Sequence, residues 1–276
     1  MKSFFKPLLC FVILVSIYIH LIAQVPENFI NATSDSSWAV HVEAGIPYDS
    51  DSTDELIICR PQYVLSFCPK KNTANWVAWN LNSDWYGDVP RYKGNFISDT
   101  LLPDTLYRVK HSDYTNSAYD RGHLVRSKER TKTAEDNKST FFLTNIIPQT
   151  PDLNQGVWLK LELFCETMCT KENKNLFIYS GGIFHSDSTL KGEGKVAVPD
   201  SCFKIILILK QGEGPKKATK KTKVIAVVMP NKQGVRRDPW EEYVTTVRHI
   251  ENSTGYNFFS NLDDELQEIL ENKKFW

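Results

Sequence analysis

Apolar residues recur along this chain with two periods, and the switches between them predict its elements. Short runs rich in β-branched and aromatic residues predict strands at Tyr63 to Phe67 and at Asn75 to Leu81. Further strands are expected at Tyr119 to Val125, Phe141 to Ile147, Leu176 to Ser180, Val196 to Pro199, Phe203 to Leu209 and Val224 to Met229. Gly181-Gly182 should end the fifth of these, and Pro148 and Pro151 should make a turn after the fourth. A helical period takes over at Gln155 to Met168. Val157, Leu161, Phe164, Cys165 and Met168 fall at i, i+4, i+7, i+8 and i+11 and form one apolar face. Asp152 is placed to cap this helix. Asn154, Trp158 and Glu162 step by four along its flank, so a polar pair rides beside the buried stripe. A second helix is expected over Trp240 to Gly255, with Tyr243, Val247 and Ile250 at i, i+4 and i+7, and an acidic one over 262–272. Ser127 to Ser139 is charged and fits a short helix. Residues 82–118 read as a long loop, and a loop of that length is more often functional than idle.

Three polar clusters interrupt the pattern between Tyr119 and Glu162. They are Asp120-Arg121-Gly122-His123, then Asn145, then Asn154 with Glu162. A strand carrying a histidine, a second strand, and a helix carrying Asn and Glu would bring them together. Histidine with an ordinary pKa near ~6.5 can accept a proton at neutral pH, which makes His123 the candidate general base. His41, His111, His185 and His249 have no comparable company. The amide oxygen of Asn154 is a hard, neutral donor suited to Mg²⁺, which keeps most of its own waters. Glu162 would then act through metal-bound water. Arg121 and Arg91 bring guanidinium groups, which fork onto oxyanions such as carboxylate or phosphate. The ordinary alternatives are a packed histidine, a helix cap, a solvated carboxylate and surface ion pairs.

These motifs, DRGH at 120–123, TN at 144–145 and NQGVWLKLE at 154–162, strongly resemble the DNA/RNA non-specific endonuclease family. The resemblance runs from about residue 60 to 272, through RPQYVLSF, NWVAW, VAVPDSCFKIILIL and DPWEEYVTTVRHIENSTGYNFFSNL. It is strongest toward the secreted sugar-non-specific nucleases of the cyanobacterial type. It implies an α+β fold with a central antiparallel sheet, helices and a ββα-metal site. It also implies Asn154 as the one direct protein ligand of Mg²⁺, with Mn²⁺ as the alternative ion. Asn145 would orient the site or the scissile phosphate, and Arg91 lies in a loop where the family also places an arginine. The implied activity is hydrolysis of DNA and RNA with little sequence preference, leaving 5′-phosphate ends. Rival readings are a non-catalytic nucleic-acid-binding relative and a metal phosphodiesterase acting on small nucleotides. Two positions depart from the family pattern. Arg126 stands where proline is usual, three residues after the motif histidine, and Glu166 stands where some members carry arginine.

Composition adds bounds. With 276 residues and a formal net charge of zero, the chain has no global basicity to announce a nucleic-acid partner. The basic stretch QGEGPKKATKKTK at 211–223 fits a solvated hairpin tip as well as a nucleic-acid patch and stays outside the site. Lys2 and Lys6 precede an apolar run from Leu8 to Ala23, the make-up of a signal peptide. Residues 1–23 are therefore expected to be cleaved; the alternatives are an uncleaved anchor and a mitochondrial presequence, the latter disfavoured because the segment has no Arg and is not amphipathic. Residues 24–55 would form a mature N-terminal segment and 56–276 the endonuclease domain. The product would be secreted or periplasmic, with no stable membrane association, DNA and RNA as partners, and a protein inhibitor left open. Removing Lys2 and Lys6 from 33 basic residues leaves 31 against 33 acidic, a net of −2. Five cysteines follow the signal: Cys59, Cys68, Cys165, Cys169 and Cys202. The odd number requires a free thiol or an intermolecular bond. Asn31, Asn137 and Asn252 are glycosylation sequons, meaningful in a eukaryotic source.

Overall fold

The computed structural model of the protein describes residues 29–33 and 35–274, so the signal segment expected at 1–23 lies outside the described residues. The chain enters as β1 (Phe29–Asn31), then β2 (Leu56–Arg60), β3 (Tyr63–Cys68) and β4 (Thr73–Leu81). A separate pair follows, β5 (Asp120–His123) and β6 (Ile146–Gln149), with α1 (Ala134–Ser139) between them. Then come α2 (Trp158–Thr170), β7 (Lys174–Ile183), β8 (Ser201–Lys210), β9 (Lys223–Pro230), β10 (Val244–Thr245), α3 (Val247–Thr254) and α4 (Asp264–Asn272). One eight-stranded sheet has the order β1-β2-β3-β4-β7-β8-β9-β10, and β5 and β6 form a second, two-stranded sheet. All pairs are antiparallel except β1 with β2.

The large sheet is covered on both faces, which is why its strands read as nearly continuous apolar runs. On one face Cys202, Ile206 and Ile208 of β8 join Val157, Leu161, Cys165 and Met168. On the other, Phe203, Ile205, Leu207 and Leu209 pack with Val247 and Ile250 of α3 and Leu270 of α4. Val42 and Ala44 belong to that second core, and the buried His41 accepts from the Asn80 backbone N–H through Nδ1. Residues 41–44, upstream of the expected domain start at 56, are thus part of the packed body.

Several expected boundaries move. Phe141 to Ile147 is not one strand: Leu143–Asn145 is a 3₁₀ turn, and β6 begins at Ile146 and continues through Pro148. β7 does not stop at Gly181-Gly182 but pairs with β8 as far as Ile183. Val196 to Pro199 forms only an isolated bridge, Thr189 with Ala197. The helix expected over Trp240 to Gly255 is broken: a 3₁₀ turn, Trp240–Tyr243, gives way to β10, whose Val244 pairs with Val227 of β9. The run Val244-Thr245-Thr246-Val247 is β-branched throughout, which favours a strand, and the Thr246 hydroxyl then caps α3. The basic stretch 211–223 does join β8 to β9 as a hairpin tip. All five described cysteines are free and buried. Asn137 is buried with its amide donating to the Ser127 and Arg130 carbonyls, so a glycan cannot be carried there in the folded chain.

Candidate active site

The site is assembled where β5 and β6 meet the N-terminal end of α2. Gly122 faces the buried Gln149 of β6; a Cβ there would lie 2.2 Å from Gln149 Oε1, so the motif needs glycine at this crossing. Next to it, His123 is wedged between the rings of Phe96 and Phe141, at centroid distances of 5.3 and 5.0 Å. The imidazole makes no hydrogen bond to any described residue, and its Nε2 is shielded and unpartnered. Burial, then the positive charges of Arg91 and Arg126, hold its pKa down at about 3. The ring is therefore neutral across the physiological range, and the same burial makes it a weaker proton acceptor than an ordinary imidazole.

Asp120 lies three residues upstream of His123 on β5. Its Oδ2 accepts from the Asn154 amide at 2.8 Å and from the Gln155 amide at 2.7 Å. Spending the nitrogen of Asn154 on Asp120 leaves its Oδ1 without a donor among the described residues. A hard oxygen so fixed fits a divalent cation of the Mg²⁺ type. Among the described residues no group of three His, Cys, Asp or Glu could hold a metal, so any bound ion would keep water in most of its positions.

Asn154 and Glu162 are not on one regular helix, as their spacing suggests. Residues Leu153–Val157 form a π-type turn, and Gly156 inside it has non-helical angles, φ −114° and ψ −108°. A Cβ on Gly156 would meet the Arg236 backbone at 2.6 Å, so this close approach needs glycine. Asp152 does not cap the helix either; its carboxylate accepts from the Gly234 N–H and pairs with Arg236. The α-helical segment starts at Trp158, and both Trp158 and Glu162 are buried.

Glu162 sits among charges. Its Oε2 lies 3.4 Å from Arg126 Nε, and its Oε1 lies 4.0 Å from the buried ammonium of Lys204. Burial raises its pKa to about 7; Lys204 and Arg126 pull it down, and Glu129 pushes it further up. Arg126 also pairs with Glu166 at 2.8 Å. Arg91 donates to the Ser127 hydroxyl and lies over the Phe141 ring. Arg91, Arg126, Lys128, Leu163 and Glu166 line one cleft of about 650 Å³. A recess of about 740 Å³ beside Gly212 and Lys216 shares no residue with this cluster.

The structure gathers His123, Arg91 and Glu162 around Arg126, ties Asn154 to β5 through Asp120, and gives two further expected residues other partners. Arg121 donates to the His111 carbonyl and stacks near Phe96 and Tyr114, on the Phe96 side of His123. Asn145 is fully buried: its Oδ1 accepts from the Val125 N–H, and its amide donates to the Val125 and Thr140 carbonyls. Its side chain is spent on holding the segment after His123 and presents nothing to a phosphate. Sequence reasoning missed Lys204 and the reach of Arg126. The signal for Lys204 was a lone cation inside the apolar run Cys202 to Leu209.

The sequence profile of the DNA/RNA non-specific endonuclease family matches residues 44–265. The chain belongs to this family. It is 42% identical to a protein named "Nuclease" from Nostoc sp., covering 86% of each chain, and 30% identical to human mitochondrial Endonuclease G, covering 74% of this chain and 69% of that one. A crystal structure titled as the EndoG/EndoGI complex superposes with a TM-score of 0.70 at 24% identity, over 85% of this chain and 96% of the other, and shares the ββα-metal fold. The family is metal-dependent, and the protein is an endonuclease acting on DNA and RNA.

Proposed function

We propose that the nuclease is exported, uses Mg²⁺ with Mn²⁺ as a substitute, and cuts both DNA and RNA to 5′-phosphate ends with little sequence preference. The observation that carries this reading is the bond from Asn154 to Asp120, which turns the amide nitrogen to the β5 carboxylate and leaves the amide oxygen, unpartnered among the described residues, open to an ion. When bound, the ion would neutralise charge on a phosphoryl oxygen and on the leaving 3′ oxygen. His123, neutral and unpartnered, takes the proton of the attacking water. Glu162 orders water by accepting hydrogen bonds, and Arg91 and Arg121 supply cationic donors for phosphate. Asn145 acts at one remove, by fixing Val125 and so the chain beside His123. Contacts centred on phosphate position a nucleic acid without reading its bases, which accounts for low sequence preference. The signal-like segment at 1–23 supports a secreted or periplasmic location. The EndoG/EndoGI title supports a protein inhibitor as a partner class.

The test is incubation with plasmid, RNA and a dinucleotide, with and without Mg²⁺, alongside His123→Ala. Cleavage of both polymers, dependent on Mg²⁺ and reduced by about 10²–10⁴-fold in the variant, is expected. A variant cutting at more than about a tenth of the normal rate would remove His123 from the role of base. Turnover of the dinucleotide alone would favour a small-nucleotide phosphodiesterase.

A further inference from the structure

Lys204 is 1% exposed and lies in β8, flanked along the strand by Phe203 and Ile205. Its same-face neighbours, Cys202 and Ile206, are in the apolar core beneath α2. Lysine is almost never buried so deeply unless paired. Its Nζ lies 4.3 Å from the centroid of the Trp158 ring and 5.4 Å from that of Trp79, so two tryptophans face the ammonium. The Trp79 ring is itself held, its Nε1 donating to Glu129 Oε2 at 3.0 Å. Among the described residues, Glu162 is the one carboxylate within ion-pair distance of Lys204.

Packing does not account for a lysine here. An aliphatic side chain would suit its neighbours, and replacing a buried ion pair by apolar groups is often neutral or stabilising. The charge is what a lysine adds, and it is directed at one oxygen of Glu162 while Arg126 reaches the other from the cleft side. We propose that Lys204 is a positioning residue of the nuclease: caged by Trp79 and Trp158, its ammonium anchors Oε1 of Glu162 from inside the sheet and fixes the carboxylate that the active site uses. The inference rests on the reading of Glu162 given above. The remaining charges around Glu162 fit this role. Glu129 opposes its ionisation, Glu166 on the same helix occupies Arg126, and Arg91 lies further out in the cleft. Lys204 is the strongest of the groups that favour the charged form.

The experiment is a cycle of Lys204→Met and Glu162→Gln, with plasmid cleavage, its pH profile and thermal melting measured on all four proteins. Glu162→Gln should lose about 10–100-fold in activity. Lys204→Met should lose a similar factor and move the acid limb of the profile to higher pH. The double variant, which removes both buried charges together, should melt cooperatively and be no less active than Glu162→Gln alone. That last comparison holds even if Lys204→Met by itself does not fold. A double variant a further tenfold weaker than Glu162→Gln would overturn the proposal alone, because Lys204 would then act independently of Glu162. Full activity in Glu162→Gln would overturn the reading of Glu162, and the proposal with it.

Discussion

The Arg126 guanidinium lies 2.8 Å from the Glu166 carboxylate, and both stand at positions where the motif resemblance leads one to expect another residue. The departures meet each other as an ion pair at the mouth of the cleft, with side chains 20% and 26% exposed. Arg126 also reaches Glu162, so one guanidinium is shared between two carboxylates. An arginine so occupied offers less to an incoming phosphate. Glu166→Gln should free it, lowering KM for long DNA at low salt by about two- to fivefold, the range expected for a partly exposed pair worth up to ~1 kcal/mol. Its salt dependence should steepen, since one more cation meets the backbone. Arg126→Gln should do the reverse. KM titrated against salt decides it, and identical slopes in all three proteins would exclude Arg126 from substrate contact.

Asp120 fixes Asn154 across the kink, and that bond predicts a graded effect on metal use. Asn154→Ala removes the proposed ligand oxygen and should suppress turnover strongly. Asp120→Ala leaves the oxygen but lets the amide rotate. It should raise the Mg²⁺ needed for half activity by about 10–100-fold, as losses of supporting groups around a metal do. Activity titrated with Mg²⁺ checks both. An Asp120→Ala protein with an unchanged Mg²⁺ requirement would show that the bond does not direct the ligand.

What could be read beforehand follows from which interactions are local. The buried strands Phe203 to Leu209 and Val224 to Met229, and the apolar face of Val157, Leu161, Cys165 and Met168, are legible because burial imposes a period on the chain. The motif residues His123, Asn154 and Glu162 are legible because their types suit the chemistry. The close approach at Gly156 is not, because the segment that requires glycine there is the Arg236 backbone, 80 residues away. Asn145 carries the same side chain whether it faces phosphate or the Val125 backbone, and only the fold shows that it faces the backbone. Arg126 and Glu166 look like two unrelated substitutions until α2 is set against the loop after β5.

Chelation should separate activity from folding. The described residues hold no group of three His, Cys, Asp or Glu able to bind a metal, and an apolar core covers each face of the large sheet. EDTA should therefore abolish cleavage and leave the melting temperature within about 2 °C, unlike a structural zinc domain, whose fold is lost with its metal. Calorimetry with and without EDTA reads this directly. A drop of ten degrees or more would reveal a metal that the fold depends on.

Acidification should switch the nuclease off through Glu162 rather than through His123. Burial holds the His123 pKa at about 3, so the base remains neutral until well below the range in which enzymes are assayed. The Glu162 carboxyl, raised by burial to about 7, takes up a proton first. If the charged form is the active one, activity falls as pH drops through about 7, or somewhat lower once a cation is bound nearby. Stability runs the other way. A carboxyl whose folded pKa lies above its unfolded value binds its proton more tightly in the native state. Its linked stabilisation is complete below the ordinary value of 4.5 and is lost as pH rises through about 7. Glu162→Gln should therefore raise the metal-free melting temperature at pH 8 relative to the parent and change it little at pH 4.5. In the same variant the residual activity should lose its acid limb near neutrality. A limb that stays at the same pH in Glu162→Gln would assign the titration to another group and return His123, with an ordinary pKa, to consideration.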